Sequence, residues 1–244
     1  MKLFSALKVL LISAASMSIL AGPARADEQT RVDDFFAQWQ AGEWLPNLDH
    51  LAKCTSERFP ELARSYVMNA VDPDVLMQRR EEFASGKCVK AKWFKTSATA
   101  LEPNLFQQML AENLLLIEVQ GNSLPDVSAV SGPNNRIILP DISFDAFPEH
   151  YARQLVVEQA VSRLAEASEC VSRREPAEVL ALLSTDRSSA QESEALRALD
   201  ASFVDCGSEN LKVRVPDFVR RGTLVLELYR LTVRQRAQPI KESA

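Results

Sequence analysis

The sequence predicts an all-α protein of two tandem helical repeats, about four helices each, with one disulfide inside each repeat and a Pro/Gly linker between them. Three observations predict it. Ala and Leu are abundant, aromatics make up only 7%, and 12 Pro against 7 Gly punctuate apolar stretches of helical period. Residues recur in order: Leu48, Cys54, Ser56, Arg58 and Pro60 return as Leu164, Cys170, Ser172, Arg174 and Pro176, each 116 positions on (54 to 170). Four cysteines fall at matching places, Cys54 and Cys88 in the first copy, Cys170 and Cys206 in the second.

Residues 1–26 read as a secretory signal peptide. Lys2 and Lys8 mark a basic start, an apolar run extends from Val9 to Leu20, and Ala24 and Ala26 flank Arg25 as small residues at a cleavage site. The apolar run is about a dozen residues where a spanning helix needs roughly 20, so cleavage after Ala26 is expected rather than anchoring. Removing Lys2, Lys8 and Arg25 takes the net charge from −5 to −8. So acidic a chain is not expected to bind nucleic acid or an anionic membrane, and no stable membrane insertion is expected after cleavage. An even cysteine count in an exported chain reads as two disulfides. The absence of any N-x-[ST] sequon favours a bacterial periplasm, with secretion as the alternative.

The first repeat spans 27–119. Pro60 starts one helix, Asp72-Pro73 caps a second leading to Cys88, and Pro103 starts the last, with Leu105, Met109 and Leu116 on one stripe. Residues 120–148 carry Gly121, Pro125, Gly132, Pro133, Pro140 and Pro148 and read as a linker, with Ile137-Ile138-Leu139 as its one apolar stretch. The second repeat spans 149–233. Tyr151, Leu155, Val161 and Leu164 form a stripe toward Cys170; Pro176 opens a short helix through Val179, Leu180 and Leu183. Ser189 and Glu192 have capping-box spacing before a helix carrying Leu196, Leu199 and Phe203 to Cys206, and Pro216 begins the fourth, through Leu224, Leu228 and Leu231. The polar tail, 234–244, is expected to be disordered.

Further matches extend the repeat: Arg79 and Cys88 with Arg197 and Cys206, and Glu112 and Leu116 with Glu227 and Leu231. Of the three possible pairings of four cysteines, only Cys54–Cys88 with Cys170–Cys206 treats the two copies alike.

The Leu-x5-Cys-x3-Arg-x-Pro segment, a second Cys some 35 residues on, and the closing Arg-Gly-x-Leu-x-x-x-Leu-Tyr-Arg-Leu segment from Arg221 to Leu231 resemble a group of exported bacterial proteins of unknown function with a duplicated two-cysteine helical unit. The resemblance implies export and the two-cysteine unit, and no activity.

Catalytic and metal chemistry is sparsely represented. The only histidines, His50 and His150, lack metal-binding spacing and read as surface or capping residues. No Gly-x-Ser-x-Gly elbow or phosphate loop is present, and no cofactor or metal is expected. The one catalytic candidate is Glu112, which shares a helical face with Leu105, Met109 and Leu116; an unpaired carboxylate there would suit a general acid. The structural reading pairs it with Arg58, and Glu227 with Arg174. Lys90, Lys92, Trp93, Phe94 and Lys95 form a basic-aromatic cluster after Cys88, read either as a contact for an anionic partner or as a solvated loop with a buried Trp. The sequence therefore favours a non-enzymatic exported protein that binds another macromolecule, an exported or envelope protein. The alternative is a carboxylate-dependent hydrolase acting on a cell-envelope polymer.

Overall fold

A computed structural model of the chain describes residues 27–40, 44–68, 88, 103–120, 123–130, 148–211 and 213–237. Residues 1–26, read above as a signal peptide, Asp72-Pro73, the Lys90–Lys95 cluster and Ile137–Leu139 lie outside them. Among the described residues every regular element is helical, and no helix is long and apolar enough to cross a membrane.

Helix α1, Glu28–Gln40, has no counterpart in the expectations above. Asp27 begins it: its Oδ1 accepts the Thr30 N–H at 2.8 Å, and its carbonyl accepts that of Arg31. The Thr30 hydrogen bonds hold the Asp27 carboxyl below its ordinary value. Helix α2, Trp44–Arg58, buries Leu48, Leu51, Ala52, Thr55 and Ser56, a strict i, i+3, i+4, i+7, i+8 face. It stops before Pro60, which opens α3, Pro60–Met68. Helix α4, Pro103–Val119, is buried on nearly all sides, from Leu105 through Glu112 and on to Leu114 and Leu115, and so lies in the core.

The described part of the expected linker, 123–130, is pinned rather than loose. Val127 and Val130 are buried in the core, and Asp126 Oδ1 accepts the Ser128 N–H to make a tight turn.

Helix α5, Glu149–Arg174, ends with Arg173 and Arg174 in its last turn, where positive charge suits the helix dipole. Pro176 then occupies the first turn of α6, Pro176–Ala181, which tightens into a 3-10 turn at Leu182–Ser184. Helix α7, Ala190–Ala198, is capped by Ser189, whose Oγ accepts the Glu192 N–H. Glu192 closes the box one residue further out than expected, accepting from Ser188 N–H. The single helix expected through Leu199 is two: the Leu199 N–H bonds only three residues back, to Leu196, and α8, Asp200–Asp205, starts afresh. Gly207, at φ 83°, supplies the left-handed turn after Cys206. Helix α9, Asp217–Ala237, follows Pro216 and buries residues 218–219, 221–229 and 231–232. It runs through Arg234, where a disordered tail was expected to begin; Val233 packs against the core and Arg234 and Arg236 complement the helix end.

The two buried helices α4 and α9 pack on each other. Helices α2 and α3 cover α4, while α5, α6 and α7 cover α9. Helix α1 packs on α5, and its Phe36 meets Phe218, at the start of α9, edge to face at 5.8 Å. The side-chain amide of Gln29 fastens it further, accepting from the Arg214 N–H and donating to the Arg214 carbonyl. Disulfides join Cys54 to Cys88 and Cys170 to Cys206, the pairing expected from equal treatment of the copies.

Candidate functional site

The inward face predicted for Glu112 is where the structure puts it, on α4 and 7% exposed. Two guanidinium groups meet it there. Arg221, from α9, donates from Nη2 to Glu112 Oε1 at 2.6 Å and from Nε to Oε2 at 3.4 Å, a bidentate grip. Arg187, from the turn before α7, donates to Oε2 at 2.5 Å and lies 3.5 Å from Asp49 Oδ1 on α2.

Arg221 is the hub of a larger group. Its Nη1 donates to the carbonyl and the Oγ1 of Thr185, both at 3.0 Å, and to Glu192 Oε1 at 3.2 Å. Two buried carboxylates, Glu112 and Glu192, thus face one buried guanidinium, with Arg187 supplying the second positive charge. Burial acts to lower the Arg221 pKa, but Glu112 and then Glu192, by charge and hydrogen bond, outweigh it and hold the group above its ordinary value. Both Glu112 oxygens are engaged by arginines, so the arrangement ties α4 to α9 and to the turn before α7.

Arg174 and Glu227, expected to pair with each other, meet different partners. Arg58 is exposed in the last turn of α2. Arg174 turns outward to Asp205 at 3.0 Å. Glu227 is buried and meets Arg230, one turn along α9, at 2.9 Å. Arg230 also donates to the Val67 carbonyl, and Gln107 to those of Tyr66 and Val67, so the end of α3 is capped by side chains from α4 and α9. A second cluster gathers on Glu118: Arg64 at 3.3 Å, the Tyr229 hydroxyl at 3.3 Å, and Arg236.

His50 is exposed on α2, and His150 lies in the first turn of α5. Among the described residues no group of three or more His, Cys, Asp or Glu could hold a metal ion. Lys90, Lys92, Trp93, Phe94 and Lys95 fall outside those residues.

Sequence reasoning missed Arg187 and Arg221. Arg221 carried a usable signal: it lies at i+3, i+4 and i+7 spacing from Phe218, Val225 and Leu228, the same kind of apolar face that singled out Glu112. Two inward-facing opposite charges on two core helices are candidates to meet. Arg187 sits in a turn and offered no such signal. Comparison of the chain with protein-family models, curated proteins and solved structures found no match.

Proposed function

We propose that the chain is an exported, periplasmic, non-enzymatic helical protein that binds another macromolecule of the cell envelope. The observation that carries this reading is the state of Glu112. Glu112, the best general-acid candidate in the sequence, is gripped by Arg221 and Arg187, which speaks against the hydrolase alternative. The two disulfides fit an oxidising compartment, and the export signal read in residues 1–26 accounts for how the chain would reach one.

We also infer that the fold is a duplication. The Ser56 hydroxyl donates to the Leu110 carbonyl, and the Ser172 hydroxyl to the Leu224 carbonyl, so α2 meets α4 as α5 meets α9. The second acceptor lies 114 positions after the first (110 to 224). In that register Gln108 is equivalent to Gly222, and the closeness of these two residues supports a twofold relation between the halves. Glu112 is then equivalent to Leu226 rather than Glu227.

The test is a mild in-cell crosslink of the tagged protein followed by mass spectrometry of what co-purifies. A single dominant envelope protein is expected. A clean monomer carrying glycan fragments, together with a hydrolytic activity abolished by Glu112→Gln, would overturn the reading in favour of the enzyme.

A further inference from the structure

We propose that the turn from Thr185 to Ser189 is a strained latch over Glu112, and that its opening presents the Glu112 carboxylate to solvent. This goes beyond the binding role and does not rest on it.

Ser188 has φ 60°, and among the described residues it is the one non-glycine residue in the left-handed region. An L side chain is disfavoured there, so surrounding contacts must hold it. The contact is visible: the Ser188 N–H donates to Glu192 Oε2 at 2.5 Å, while the other oxygen of that carboxylate holds Arg221. The start of the turn is held by the same guanidinium, through the Thr185 carbonyl and hydroxyl. A buried charge group therefore holds the turn at Thr185 and again at the strained residue itself.

What the turn carries outward is Arg187. It reaches from the second half of the chain to Glu112 and Asp49 in the first. Its side chain is 23% exposed and that of Asp49 45%, so water competes for this arm, unlike the buried grip of Arg221. When the turn lifts, Arg221 Nη2 keeps Glu112 Oε1 at its short distance, while Oε2 retains only the long 3.4 Å contact. The latch thus has a fixed side, a weak side and a strained hinge.

The hinge gives the test, because it can be altered without removing any charge. Glycine at position 188 relieves the strain and favours the closed turn; valine, β-branched, disfavours the left-handed conformation more than serine does. In the full mature protein, carboxyl labelling with a carbodiimide and an amine reads Glu112 exposure directly, and amide exchange reads the turn. Ser188→Val is expected to raise Glu112 labelling about tenfold and to speed exchange over 185–192 while α5 stays protected. Ser188→Gly is expected to lower labelling below the wild type. Equal labelling in the variants that fold overturns the latch, and so does labelling that rises only as α5 loses protection. Should Ser188→Val not fold, the comparison of Ser188→Gly with the wild type decides.

Discussion

Gln108 lies directly over Gly222 where α4 packs on α9: a Cβ built on Gly222 would sit 2.2 Å from Gln108 Oε1 and 2.8 Å from Gln108 Cβ. The first contact could be relieved by a side-chain swing, the second only by moving the helices apart. Gln108 also donates to Thr223 Oγ1 at 3.1 Å, which ties the crossing beside the glycine.

Gly222→Ala is therefore expected to destabilise, although alanine is the better helix former. Overpacking costs about 1–3 kcal/mol and the gain in helix propensity offsets at most about 1. Thermal unfolding should show a lower Tm. Gln108→Ala should rescue only part of the loss, because its Cβ remains. A Gly222→Ala protein as stable as the wild type would mean that the helices are not in close contact here.

The Arg221 group makes a second expectation. Replacing Arg221 with Met leaves Glu112 and Glu192 buried around an apolar side chain, and breaking one partner of such a group costs about 3–5 kcal/mol. Adding Glu112→Leu should recover some of that loss, so the double variant is more stable than the sum of the singles implies. Urea midpoints of the four proteins in the cycle measure it. Strict additivity would show that the two side chains do not interact.

Much of the local structure was legible because its causes are local. Pro60, Pro103 and Pro176 open helices since a proline loses nothing in a first turn, and Ser189 caps α7 through its own hydroxyl. The disulfide pairing followed from the recurrence of the cysteines. What escaped was set by distant contacts. Helix α1 depends on Phe218 and Arg214, far along the chain, for its seat. A helical wheel turned Glu112 inward but could not choose its cation; Arg58 was nearer in sequence, while Arg221 was the one carried there by the packing of α4 on α9.

Each disulfide should stabilise by a similar amount. The bridges span 34 and 36 residues, so the chain-entropy model gives about 3–4 kcal/mol for either. Cys54→Ser with Cys88→Ser, and Cys170→Ser with Cys206→Ser, compared by denaturant midpoint, should show two comparable losses. A loss confined to one pair would mean that one half holds without its staple.

The alkaline limb of stability should report Tyr229. Burial raises its hydroxyl above the ordinary tyrosine value, and the nearby Glu118 charge raises it further, against a smaller opposing effect of Arg64. A raised folded-state pKa means that the unfolded chain loses this proton first. The contribution is therefore fully present below the unfolded value near 10 and is lost as pH climbs above it. Phenylalanine keeps the ring in the core and removes the ionisation. Tyr229→Phe should then be somewhat less stable than the wild type near neutrality, having lost the hydrogen bond to Glu118, and should hold its midpoint better between pH 9 and 11. Urea midpoints across that range decide it: curves that stay parallel would show that the Tyr229 hydroxyl titrates alike in the folded and unfolded chain, and that its burial against Glu118 does not shape the alkaline limit of the fold.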